Sequence, residues 1–371
     1  MRSTRIALAL ALALLLAPRL ARGACDTAPA TPSDRRLDPS SARVAVATFN
    51  ARWLFDGVND NALSPYVDDA VGARAHADDV RDVVTALDAD VVVVTEHENC
   101  ETLAWAGSGR AAYASYFVPG KDSATTQEVG LLTKTDVAED VRRTNARARY
   151  DATTSACGYD GERESGVSKH FWTRIKIKNR FVSVVGAHLK ANPTEARSCA
   201  QREAQVDVLR ALVRERYEAG DAVIVAGDLN DYSDAHEDAG GNAPTSRVLA
   251  KLRDFDDDGV DELEEAGGRV PRERRYTWQS GSRRAKLDYV LTSKSDVVIV
   301  NATIRHDLVS SAVSDHFPLF AVVDILQTRD VSLLGRAPSP TTNATDGTGF
   351  RARRALIAVA FVVATSCYFR M

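Results

Sequence analysis

Ala222-Val-Ile-Val-Ala-Gly-Asp-Leu-Asn230 is a short apolar run that ends in a carboxylate and an amide. A run of this length, entered from Gly220-Asp221 and left through Gly227, reads as a buried strand. Upstream, Val206, Leu209, Leu212 and Val213 recur at helical spacing, and Gly220 stops that helix at its C-cap. Helix followed directly by buried strand is α/β layering, and the pattern repeats. Val80, Val83, Val84 and Leu87 form a second helical stripe, after which Asp90 leads into the strand Val91-Val-Val-Val94. Residues 44–49, 181–186, 276–279, 287–292 and 317–323 are further strand candidates. Polar residues stand just after the strand ends, where such folds place ligand-binding groups.

The chain has 371 residues, 44% hydrophobic and 26% charged, which excludes wholesale disorder, a collagen-like rod and a polytopic membrane protein. Its formal charge of −4 is unevenly spread. Arg2, Arg5, Arg19 and Arg22 at one end, and Arg351, Arg353, Arg354 and Arg370 at the other, have no acids among them. The stretch between is therefore more acidic than the whole, so a phosphate substrate needs a local basic patch or a metal.

Residues 1–24 have the layout of a secretory signal peptide: Arg2 and Arg5, the apolar run 6–16, then Ala21-Arg22-Gly23. Residues 25–42, rich in Pro, Thr, Ser, Asp and Arg, read as a linker, and 43–326 as one domain. Residues 327–354, with Pro338, Pro340 and Gly347, read as a stalk. Residues 355–371 form an apolar tail too short for an ordinary span; small residues from Asn343 to Thr348 give it the layout of a GPI-attachment signal, with a short membrane anchor as the alternative. This arrangement predicts a protein outside the cell or at its surface. Cys25, Cys100, Cys157 and Cys199 suit two disulfides in an oxidising compartment, with three pairings open, and Cys367 leaves with the tail. Asn301 and Asn343 head glycosylation sequons. No protein partner is expected.

Six strand-end clusters carry the candidate chemistry. They are Thr48-Phe49-Asn50, Thr95-Glu96, Ala187-His188-Leu189, Gly227-Asp228-Leu229-Asn230, Lys286-Leu287-Asp288-Tyr289 and Ser314-Asp315-His316. Each alone reads as a turn. Together they supply what hydrolysis of a phosphate ester needs: a metal site, a base for water, and donors for the transition state. Glu96 with Asn50 offers the hard oxygens that suit Mg²⁺, for which Mn²⁺ can substitute. His316 can take the proton of water if a carboxylate fixes its tautomer, and His188 can donate to the leaving oxygen.

In this order, over residues 43–326, the clusters resemble the endonuclease/exonuclease/phosphatase superfamily typified by DNase I. The resemblance implies a four-layer α/β sandwich, two mixed β-sheets packed face to face and flanked by helices. It makes Glu96 the principal metal ligand, Asn50 its neighbour, and Asp315 a servant of the metal or the water. Asp228 and Asn230 would orient phosphate and water, His316 would be the base paired with Asp288, and His188 the second catalytic histidine. In DNase I-like members a glutamate partners that histidine, and Glu128 stands at a matching place. Thr95 departs from the family pattern, where Gln is frequent, and Glu98 competes with Glu96; the step from Asp90 favours Glu96.

Arg163, Lys169, His170, Arg283, Arg284 and Lys286 are candidates for substrate phosphate, against a solvated-turn reading. Asp254, Asp256 and Asp258, with Gly259 and Glu265, match the spacing of an EF-hand calcium loop, so a structural Ca²⁺ is one expectation. No helix pair flanks them and Asp261 takes an apolar place, which favours an acidic surface loop. The expected activity is a nuclease acting on DNA or RNA. A sphingomyelinase-like phospholipase or an inositol-phosphate phosphatase, acting on phosphorylated lipid or a small phosphate ester, is the alternative. A catalytically dead binding module is a third reading, opposed by the retention of both histidines and the acids. No contiguous apolar hairpin for entering lipid is visible in the sequence.

Overall fold

The computed structural model describes residues 25–110 and 113–334. The signal peptide, the Asn343 sequon, most of the stalk and the apolar tail lie outside the described residues. Valine-rich runs, stiff at χ1 and suited to pleated surfaces, build two mixed sheets. The first has six strands in the order β14 (Val297–Ile304), β15 (Leu319–Ile325), β1 (Arg43–Leu54), β2 (Val91–His97), β4 (Glu128–Thr133) and β3 (Ala114–Tyr116). The second has five: β10 (Leu263–Glu265), β13 (Asp288–Ser293), β9 (Ala222–Asp228), β8 (Arg180–His188) and β7 (Lys169–Ile177). Two short ribbons complete the set, β5 (Ala148–Arg149) with β6 (Glu164–Ser165), and β11 (Trp278–Ser280) with β12 (Arg283–Ala285).

The sheets face each other across one core, where Val44, Val46, Val91 and Val93 meet Val182, Val184, Ile224 and Val290. Helices α1 (Ala70–Leu87) and α2 (Cys100–Gly107) cover the outer face of the first sheet through Val80, Val84, Leu87 and Leu103. Helices α3 (Ala196–Glu218) and α4 (Val248–Arg253) cover the second through Val206, Leu209, Leu249 and Leu252. The result is the expected four-layer sandwich.

Topology decides where the polar strand ends meet. β1 and β2 are parallel, as are β8 and β9. Their C-terminal ends reach one edge, and their antiparallel neighbours β15, β4, β13 and β7 begin there. Across the second sheet the register therefore lines up Lys169, His188, Asp228 and Asp288 in one row.

Residues 25–42, expected as a linker, lie against the body and are tied to it. Cys25 is bonded to Cys100, Ser33 hydrogen-bonds Asp136, and buried Arg36 donates to Asp34 and to the carbonyls of Ser41 and Arg43. Composition marks this segment as loop but cannot show that its polar groups find partners. The second disulfide joins Cys157 to Cys199. Arg329, in the expected stalk, donates to Asp296 and to the carbonyls of Tyr217 and Asp221.

Candidate active site

Asp228 ends β9 and is buried. Its Oδ1 accepts from the Asn230 amide (2.9 Å) and its Oδ2 from Asn50 Nδ2 (3.0 Å). Two imidazoles converge on that Oδ2: His188 Nε2 at 3.7 Å and His316 Nε2 at 3.9 Å. The other side of the His316 ring is fixed, with Nδ1 2.7 Å from Asp288 Oδ2. Thr277 Oγ1 accepts from the amides of both Leu287 and Asp288 (2.9 Å each), holding the start of β13 in place. Burial pushes the Asp228 carboxyl up to about 7, and the charge of Asp288 adds to the effect. For His316 burial opposes the charged ring, but Asp288 and Asp228 outweigh it and raise its pKa to about 10. His188 is held well below 6.5 by burial, then by the charges of Lys169 and His316, so it is neutral. The sequence reading makes His316 the base; in the resting chain it already carries its proton.

The first sheet contributes Asn50 and Glu96. Asn50 Nδ2 bridges Glu96 Oε1 and Asp228 Oδ2, both at 3.0 Å. Glu96 Oε2 accepts from Gln127 Nε2 (2.7 Å) and from the Trp53 amide (3.3 Å). The backbone here is left-handed at Arg52, Trp53, Glu96 and Asn230, with φ of 46°, 58°, 65° and 51°. Such strain, about 1–3 kcal/mol per residue, is characteristic of functional sites. The register between β2 and β4 shifts between Thr95 and His97, which puts Glu96 into the site. Glu98 goes elsewhere: it accepts from the Asp56 amide, and burial with the nearby Asp56 charge raises its pKa to about 7.

Carboxylate and amide oxygens of Asn50, Glu96, Asp228 and Asp288 are a donor set for a hard divalent cation. Ligand atoms of Asp228, Asp288 and His316 lie within 4.8 Å of one another. Among the described residues Asp288 Oδ1 is buried without a hydrogen-bond partner, an atom that a cation or its water would satisfy. These residues fit the metal that the sequence implies.

The site forms the floor of a cleft of about 970 Å³. Of the phosphate candidates, Lys169, Arg283 and Arg284 line it, and so does Lys190. The other phosphate candidates do not. Lys286 is buried, its Nζ 2.6 Å from Glu265 Oε2. Arg163 donates to Gln201 Oε1 (2.5 Å) and stands off the cleft wall. His170 follows Lys169 on a strand, so alternation turns it away, and buried Nε2 accepts from the Thr144 amide (3.0 Å).

Glu128 does not partner His188. Both its oxygens accept from the Gly120 amide (2.9 Å), burial raises its pKa to about 7, and His188 Nδ1 has no hydrogen-bond partner among the described residues. Gln127, one residue earlier, takes the inward place. Asp315 accepts from Trp278 Nε1 (3.0 Å) and lies 3.6 Å from Arg52 Nε; the close group of potential ligand atoms is Asp228, Asp288 and His316, without Asp315. The calcium-loop expectation also fails at Glu265, which is buried and held by Ser233 (2.7 Å), Arg253 (3.0 Å) and Lys286. Asp254 instead accepts from the amides of Asp258 and Gly259, closing an acidic turn.

This fold and this acid–histidine site define a hydrolase of phosphate esters. The chain belongs to the Endonuclease/Exonuclease/phosphatase family, which it matches over residues 47–316. No curated protein matches it significantly. Solved structures similar to it include TDP2 from Caenorhabditis elegans, 17% identical, with a TM-score of 0.46 over 76% of this chain and 75% of that one. An endonuclease/exonuclease/phosphatase from Beutenbergia cavernae is 14% identical, with a TM-score of 0.49 over 76% and 72%. The catalytic domain of human Nocturnin with bound sulfate is 19% identical, with a TM-score of 0.48 over 76% and 93%.

Proposed function

We propose that the chain is a Mg²⁺-dependent phosphodiesterase that cleaves nucleic acid. One observation carries the choice of substrate: the cleft wall combines aromatic Tyr232 and Trp278 with cationic Lys169, Lys190, Arg283 and Arg284. Stacking surfaces alternating with cations suit single-stranded or distorted nucleic acid. Glu96 and Asn50 would hold the metal, which when bound neutralises phosphate charge and acidifies water. Asp228 and Asn230 orient the attacking water, and Asp228, with its pKa near 7, accepts the proton. Protonated His316, clamped by Asp288, and neutral His188 donate to phosphate oxygens. The two disulfides support secretion or display at the cell surface, in keeping with the leader and tail of the sequence.

A phospholipid substrate is the second reading, favoured by a feature the sequence did not disclose. Val58, Leu63, Val67 and Val71 are 48%, 65%, 41% and 82% exposed along one segment. That segment is tied to the cleft rim where Asn61 Nδ2 donates to the Ala124 carbonyl (3.0 Å). The two readings separate when one preparation is given Mg²⁺ with single-stranded oligonucleotide, or with vesicles of sphingomyelin and phosphatidylcholine. Cleaved oligonucleotide and intact vesicles are expected. Headgroup release with the oligonucleotide untouched would overturn the nuclease assignment.

A further inference from the structure

Arg202 on α3 is 0% exposed, and no step above uses it. Its Nε donates to Asp231 Oδ2 (2.8 Å), its Nη1 to the carbonyls of Lys190 (3.1 Å) and Asn192 (3.0 Å), and its Nη2 to that of Pro193 (2.8 Å). One side chain thus joins the loop after His188 to the loop after Asp228 and Asn230. Further bonds hold each partner. Gln205 Oε1 accepts from the Lys190 amide (3.0 Å), and Thr245 Oγ1 donates to the Pro193 carbonyl (2.9 Å). Ser246 Oγ donates to Asp231 Oδ2 (2.7 Å), and the Tyr289 hydroxyl to the Asp231 carbonyl (2.7 Å).

With their carbonyls gathered on Arg202, Lys190 and Asn192 line the cleft. Lys190 is exposed and, among the described residues, makes no ion pair. A planar fork with five donors can serve a carboxylate and several converging carbonyls at once; an ammonium cannot. We propose that Arg202 is a positioning residue for the reaction above. It sets rim residues 190–193 against the loop bearing Asp228 and Asn230, and so fixes where substrate beyond the scissile phosphate lies. This rests on the phosphodiesterase reading of the site.

The test uses the full chain, its Arg202→Lys and Thr245→Val variants, and two substrates. Bis(p-nitrophenyl) phosphate is a small diester that needs little of the rim; a single-stranded oligonucleotide needs all of it. Arg202→Lys keeps a cation against Asp231 but loses the fork. It should raise KM for the oligonucleotide about tenfold, with kcat and the small-ester constants within about twofold. Hydrogen exchange at the Lys190 amide should quicken in step. Thr245→Val, which leaves no buried charge unpaired, should give the same split more weakly, and it decides the matter if Arg202→Lys does not fold. Parallel losses on both substrates, or unchanged KM and exchange in the folded variants, would overturn the proposal. A wild type inactive on both esters would overturn the phosphodiesterase reading instead, and exchange at Lys190 would then judge Arg202 alone.

Discussion

Glu96 reaches the site on left-handed backbone and is aimed by Gln127, whose Nε2 holds the carboxylate oxygen that Asn50 does not. Lys169 Nζ lies 3.4 Å from the oxygen of the same Gln127 amide. Outer hydrogen bonds of this kind usually change metal affinity by about 10–100-fold when removed. Gln127→Ala should therefore raise the Mg²⁺ needed for half-maximal rate by about that factor, with the rate recovering at saturating metal. A metal titration giving an unchanged midpoint would refute this role. The neighbouring Glu128 entered the sequence reading because the DNase I-like resemblance implies a glutamate partner for His188. Gln127, the residue just before β4, takes the inward place instead, and a one-residue choice of face is not legible until the register is known.

At the scale of elements, the strand ends were readable because six clusters of Asp, Asn, Glu or His fall at apolar runs in one domain, although each alone reads as a turn. What the sequence could not show is which antiparallel neighbours begin at the same edge, and so the roles of Gln127 and Thr277 emerge only from the folded chain. The calcium spacing failed for a related reason: Glu265 belongs to β10, so its side chain enters the core and meets Lys286 and Arg253. Gly227 shows how tightly the two parallel strands are matched. Its φ is 142°, and a Cβ there would stand 1.9 Å from the Ala187 carbonyl oxygen, between the strands bearing His188 and Asp228. Gly227→Ala should lose about 1–3 kcal/mol or more of stability, read from a urea midpoint, together with activity. A wild-type midpoint would show that the strands can separate without cost.

Over the whole molecule, two sheets share one core and bring polar row-ends from both to a single edge, so neither sheet alone forms the site. Asn50 from the first sheet bonding Asp228 of the second is the contact that closes it. Cys25–Cys100 pins the start of the described chain to α2, just beyond Glu96 and Glu98, which composition alone could not foresee. The acidic body places the burden of phosphate recognition on the metal and on a few cleft cations. The most direct test is nicking of supercoiled plasmid by the purified chain with Mg²⁺, with EDTA, and by a folded His316→Ala variant. Nicking that requires Mg²⁺ and falls by about 10²–10⁴-fold in the variant is the predicted result. Nicking that persists in EDTA, or in folded His316→Ala, would contradict the account.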